Sequence, residues 1–161
     1  NHQGYFDIPL MITQMDKPNP LIAKKEIQKI PMIRSWMKEL RCIFIDRQDA
    51  RQSMDCLKQA QELLKEGYSV VIFPEGTREK EGKLLPPKSG LFVIAAQAGV
   101  DVVPVRIRYD TPDGKMRLFC RVNVIYGEPM PAAQFAMESR RDMKVLRANK
   151  QALLDAWEQL K

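Results

Sequence analysis

The hexapeptide Phe73-Pro74-Glu75-Gly76-Thr77-Arg78 sets the tightest limit on how this chain can fold. It follows Ser69-Val70-Val71-Ile72, a short β-branched apolar run bounded upstream by Gly67, which predicts a buried strand. Pro74 has no N–H to give to a sheet ladder, so the strand must end there. The turn that follows presents an acid, a flexible glycine, a hydroxyl and a guanidinium. Gly76 allows a ligand to approach the backbone closely, and Arg78 offers the planar fork that suits a phosphate. Residues of these types more often make a solvated turn with an incidental ion pair. Their place at the C-terminal end of a core strand, where open α/β sheets hold ligands, favours a phosphate-bearing ligand.

A chain of 161 residues is long enough for one domain that buries most of its unfolded surface. The formal net charge of +6 favours anionic partners, yet acids are interleaved with the bases along most of the chain. That pattern indicates surface attraction rather than a nucleic-acid-binding arm. The three cysteines, Cys42, Cys56 and Cys120, are odd in number and never form a Cys-x-x-Cys pair, so reduced thiols in a cytosolic compartment are expected. With a single histidine and no zinc-type cysteine spacing, the sequence predicts no metal site. No apolar run approaches the ~20 residues needed to span a bilayer.

His2 is that single histidine, and Asp7 follows with four residues between them. Asp7-Ile8-Pro9 opens an apolar helical run, with Asp7 as its N-cap and Pro9 tolerated in the first turn. A separation of five does not put two side chains on one helical face, so His2 must sit on the preceding loop, folded back over Gly4 toward the Asp7 carboxylate. The carboxylate would then accept from one ring nitrogen and leave the other as a base. Taken alone, a frayed terminal histidine with Asp7 acting only as a cap is the more frequent arrangement.

Further along, Leu21-Ile22-Ala23 predicts a short strand. The stretch from Ile30 to Leu40 predicts an amphipathic helix whose Met32, Ile33, Trp36 and Met37 face a core. Cys42-Ile43-Phe44-Ile45 is a second strand running into Asp46-Arg47. Asp49 caps a helix that Gly67 stops. This alternation argues for parallel pairing in an α/β layer. Beyond Arg78, Gly76 to Gly82-Lys83 has five intervening residues and then Leu84, so it is not a phosphate loop of the NTPase type. Lys88-Ser89-Gly90 opens a helix ended by Gly99. Two strands follow, over Val102 to Ile107 and Leu118 to Tyr126. A C-terminal helix then carries Met143, Leu146, Leu153, Trp157 and Leu160 on one stripe.

Asn1-His2 with Asp7, Phe44-Ile45-Asp46-Arg47, Phe73 to Arg78 and Val103-Pro104-Val105 occur in that order. Together they closely resemble the glycerophospholipid acyltransferase family, and most of all the lysophosphatidic acid acyltransferases (1-acylglycerol-3-phosphate acyltransferases). The resemblance runs from Asn1 to about Pro129. It implies a single α/β acyltransferase domain over residues 1–161, with a mixed, mostly parallel sheet flanked by helices. By the resemblance, His2 is the general base and Asp7 its orienting partner. Arg47, Glu75, Gly76, Thr77 and Arg78 hold the acceptor's glycerol phosphate, and Lys88 borders the site. The resemblance implies a membrane-associating segment before the histidine motif, and residues 1–161 are expected to lack it. Attachment at the cytoplasmic face of a membrane is therefore expected through a segment outside these residues.

The reaction so implied moves a fatty acyl group from an acyl thioester to the free hydroxyl of lysophosphatidic acid, giving phosphatidic acid. The donor is acyl-CoA or acyl-carrier-protein, a substrate and not a cofactor; no cofactor is expected. The expected partners are the lysophospholipid acceptor, the thioester donor and an anionic membrane surface. Within the same family the acceptor could be another lysophospholipid or a lyso-aminolipid. From a different class, the same basic pocket could serve a non-catalytic domain that binds anionic lipid. Nucleic acid is not an expected partner, because the basic C-terminal helix lacks interleaved aromatics and any recognised module.

Overall fold

The computed structural model describes residues 1–4, 6–15, 17, 19–46, 49–79, 83–113, 117, 119–139 and 142–160. The chain forms two compact units, Met11–Ile72 and the combination of Asn1–Leu10 with Phe73–Lys161.

In the Met11–Ile72 unit, β1 (Ile22–Lys24) pairs in parallel with β2 (Ile43–Ile45), with Ile22 opposite Ile43 and Lys24 opposite Ile45. Leu21 makes a further parallel bridge to Val71, and Ile22 N–H donates to the Val71 carbonyl at 3.0 Å. The run predicted as a strand over 69–72 is thus realised as that one bridge. The crossover between the strands carries a 3-10 segment (Lys25–Lys29) and the helix Pro31–Glu39, which has proline in its first turn, where no N–H is needed. A second helix, Ala50–Lys65, starts at Asp49, whose carboxylate accepts from the N–H groups of Arg51 and Gln52 at 2.9 and 3.1 Å. It ends ahead of Gly67, which takes φ 88°. Met11, Leu21, Ala23, Met37, Ile43, Cys56 and Ala60 are buried apolar side chains among the described residues of this unit.

The helix Pro31–Glu39 departs from the expectation of a core-facing stripe. Met37 is buried, but Met32 is 81% and Trp36 68% exposed. A nine-residue helix that packs along one edge can cover one turn's worth of apolar side chains and leaves the rest to its surroundings.

In the other unit, β3 (Val105–Asp110) and β4 (Arg121–Tyr126) pair antiparallel over six residues each, Val105 opposite Tyr126 and Asp110 opposite Arg121. Strand alternation turns Ile107 and Tyr109 inward and Arg106 and Arg108 to the other face. The helix Gly90–Ala98 is apolar almost all round, with Phe92, Val93, Ile94 and Ala95 buried, and stops at Gly99 in the left-handed region. Phe92 stacks on the fully buried Phe135 at 5.9 Å between ring centroids. The C-terminal helix Met143–Gln159 buries Leu146, Leu153 and Trp157 as its stripe predicts, while Met143 stays 55% exposed. Arg106 Nη1 donates to the carbonyls of Trp157 and Leu160 at 2.7 and 3.0 Å, satisfying groups that the helix end leaves without partners. Parallel and antiparallel pairings flanked by helices place the chain in the α/β class.

Candidate active site

Strand β3 carries the site from beneath. Asn1 sets its side-chain amide against the Ile107 backbone as a neighbouring strand would. Its Oδ1 accepts the Ile107 N–H at 2.7 Å, and its Nδ2 donates to the Ile107 carbonyl at 3.1 Å. His2, the next residue, is held by its own backbone on two sides. Its N–H donates to Glu75 Oε2 at 2.5 Å, and its carbonyl accepts from Glu79 N–H at 2.9 Å. The imidazole lies against the Phe73 ring at 4.3 Å between centroids and is 16% exposed.

The His2 Nδ1 sits 2.8 Å from Asp7 Oδ2. Asp7 is fully buried and opens the helix Asp7–Thr13, yet its carboxylate does not cap that helix in the predicted way. It turns back to the loop, where Oδ2 also accepts the N–H groups of Gln3 and Gly4 at 2.6 and 2.8 Å. The other oxygen, Oδ1, accepts the Tyr109 hydroxyl. Burial by itself would raise the Asp7 carboxyl, but the donors from His2, Tyr109, Gly4 and Gln3 outweigh it and hold the acid below its ordinary value. An ionised carboxylate only accepts, so the proton of the neutral imidazole belongs on Nδ1 and Nε2 is left with its lone pair.

Both Glu75 oxygens serve backbone donors, with Oε1 accepting the Leu85 N–H at 3.3 Å. At 4% exposure this carboxylate braces the histidine loop against the segment after the turn. Gly76 takes φ 75°, and the Lys88 side chain arches over it. Lys88 N–H donates to the Pro74 carbonyl at 2.8 Å, which holds the two segments together. Thr77 is exposed and Arg78 half-buried on the same turn. Arg47 lies outside the described residues. A pocket of about 200 Å³ opens beside the histidine loop, with Gln3, Tyr109, Arg108 and Asn123 in its wall.

The structure therefore brings His2, Asp7, Glu75, Gly76 and Lys88 into one neighbourhood. Sequence reading missed Tyr109 and the bracing role of the Asn1 side chain. The inward alternation of Val105, Ile107 and Tyr109 was the only signal, and it says nothing about what a tyrosine hydroxyl will meet.

The family model described as Acyltransferase matches residues 1–108. The chain is 43% identical over 107 residues to the chloroplastic 1-acyl-sn-glycerol-3-phosphate acyltransferase BAT2 of Brassica napus, covering 66% of this chain and 31% of that protein. It is 35% identical over 106 residues to the human 1-acyl-sn-glycerol-3-phosphate acyltransferase beta, covering 65% of this chain and 38% of that one. The chain thus spans about a third of the length of these relatives. Among solved structures, it resembles the 1-acyl-sn-glycerophosphate (LPA) acyltransferase PlsC from Thermotoga maritima with a TM-score of 0.65 at 31% identity. That match covers 96% of this chain and 63% of that one.

Proposed function

The chain belongs to the acyltransferase family, and on that premise we propose that it transfers a fatty acyl group from an acyl thioester to the free hydroxyl of lysophosphatidic acid. The observation that carries this reading is the contact between His2 Nδ1 and Asp7 Oδ2, which leaves Nε2 as a proton acceptor. The acceptor hydroxyl attacks the thioester carbonyl as His2 Nε2 takes its proton. Collapse of the tetrahedral intermediate breaks the C–S bond, and the thiolate leaves with the proton held on His2. Phosphatidic acid and the free thiol of CoA or acyl-carrier-protein are the products.

Lys88 beside Gly76, together with Thr77 and Arg78, supplies donors and positive charge for the glycerol phosphate; holding it would fix the hydroxyl near the base. Glu75 supports the reaction from behind by locking the His2 backbone. The reaction runs at an anionic membrane surface on its cytoplasmic face. Support for that comes from Ile30, Met32 and Trp36, exposed on a stretch that also exposes Lys24, Lys25, Lys29, Arg34 and Lys38. No helix among the described residues is long and apolar enough to cross a membrane.

Turnover with a panel of lysophospholipids against acyl-CoA and acyl-carrier-protein tests the reading. Lysophosphatidic acid should be the preferred acceptor, and His2→Ala should lower kcat by roughly 10²–10⁴-fold while the circular dichroism spectrum is unchanged. Wild-type turnover in His2→Ala would remove the mechanism.

A further inference from the structure

We propose that Tyr109 is a positioning residue for the His2–Asp7 pair, its hydroxyl fixing the orientation and charge of the Asp7 carboxylate and so the proton affinity of the base. The proposal rests on the catalytic reading of His2 given above.

The two Asp7 oxygens are served unequally. Oδ2 faces the loop and collects His2 Nδ1, Gln3 N–H and Gly4 N–H, whereas the Tyr109 hydroxyl is the donor on Oδ1. Asp7 is fully buried and Tyr109 is 5% exposed, so water has no ready access to replace that donor. The carboxylate is pinned from opposite sides, and it cannot turn about its own axis without breaking both sets of bonds. Burial, with the Asp7 carboxylate next to it, holds the Tyr109 phenol far above its ordinary range, so the hydroxyl keeps its proton and remains a donor at every working pH.

Strand β3 gives the arrangement its rigidity. Ile107, two residues before Tyr109 and on the same face, is gripped through its backbone by the Asn1 side chain. One strand thus fixes both the start of the histidine loop and the far side of the aspartate. Among the described residues, the ionisable groups that act on this cluster are His2 and the Asn1 amino group on the loop, Tyr109 on β3, Glu75, which reaches the loop through the His2 N–H, and Cys120, which acts on Tyr109. Arg106 and Arg108 alternate to the other face of the strand.

Charge accounting gives a direction. A hydrogen bond from Tyr109 draws negative charge away from Asp7 and weakens its pull on a proton shared with His2. Without the hydroxyl, the buried carboxylate would stabilise the protonated imidazole more, and the free base would appear only at higher pH.

Tyr109→Phe keeps the ring and removes the hydroxyl. It should lower kcat by roughly tenfold or more, the scale of a lost hydrogen bond to a charged group, with the acceptor KM within about twofold. The acid limb of the pH–rate profile should move to higher pH. Because the chain has a single histidine, carbethoxylation of the imidazole by diethylpyrocarbonate reads the same proton without any acyl substrate. Its pH dependence should shift in the same direction. Should Tyr109→Phe not fold, 3-fluorotyrosine at position 109 keeps the hydroxyl as a stronger donor, and both profiles must move to lower pH. In an Asp7→Asn background the Phe substitution should add nothing to the pH shift.

Unchanged pH profiles in Tyr109→Phe, or in the fluorotyrosine protein if Phe does not fold, would overturn the proposal whatever happens to kcat. No acyl transfer by the wild-type protein, with the carbethoxylation shift still present in the Tyr109 variant, would refute the acyltransferase reading and leave the positioning role standing.

Discussion

The Lys88 side chain lies across Gly76, so that a β-carbon at position 76 would come within 2.8 Å of both Cε and Nζ of Lys88. Two requirements meet at that glycine. Its backbone adopts φ 75°, a conformation that costs an L side chain roughly 1–2 kcal/mol, and its bare face seats an ammonium group beside the proposed phosphate site. Gly76→Ala should therefore lower Tm by about 2–8 °C for a chain of this size. The clash is with the end of a flexible side chain, so the alanine would displace Lys88 rather than unfold the turn. The acceptor KM should rise and the donor KM should change much less. An acceptor KM equal to wild type would remove Lys88 from the acceptor site.

Asp7 makes stability depend on pH in a defined direction. Its folded carboxyl lies below the ordinary value of 3.8, so the folded state binds the proton less readily than the unfolded chain. The stabilisation is present in full well above pH 3.8 and is lost as pH falls below that value through the folded one. Thermal melts of wild type and Asp7→Asn should accordingly converge as pH drops below about 4. Parallel curves over that range would mean that Asp7 contributes no linked stability.

No covalent acyl-enzyme should form on a cysteine. Burial pushes the thiols of Cys42 and Cys56 up, away from the reactive thiolate, and Cys56 Sγ donates to the Phe44 carbonyl at 3.1 Å. Cys120 lies near the Arg117 carbonyl, at 3.2 Å. Incubation with acyl donor alone should leave the intact mass unchanged, and each Cys→Ser variant should turn over normally. A stoichiometric adduct that chases into product on adding acceptor would establish a two-step reaction instead.

The exposed face of the helix Pro31–Glu39 should hold the protein on lipid. Binding to vesicles containing phosphatidylserine should weaken as salt rises, since the flanking lysines act at long range. Trp36→Ala should reduce the partition coefficient by roughly tenfold at any one salt concentration, reflecting the apolar area it would bury. Binding that is indifferent to both salt and Trp36 would move the lipid contact to another surface.

Much of the local structure was legible because its causes are local. Asp49 caps the amides of Arg51 and Gln52 whatever surrounds it, and Gly67 and Gly99 end their helices because they adopt positive φ without strain. The strand Cys42–Ile45 and the C-terminal stripe came from periodicity, which records the burial of neighbouring turns. The approach of His2 to Asp7 was also legible, since a loop of four residues over Gly4 leaves few other ways for the ring to reach a partner. Where periodicity failed, at Met32 and Trp36, the helical face was read correctly and its burial was not. A stripe states which side chains travel together and not whether anything covers them.

By itself the sequence determined the α/β class, the order of the motif blocks and the nearness of His2 to Asp7, all through effects that act within a few residues. Tertiary structure alone decided that Asp7 turns back from its helix to receive the hydroxyl of Tyr109, 102 residues away, and that Asn1 grips Ile107. Those bonds depend on the register and alternation of β3 against a loop at the far end of the chain. A buried carboxylate takes whichever donors the finished packing brings to it.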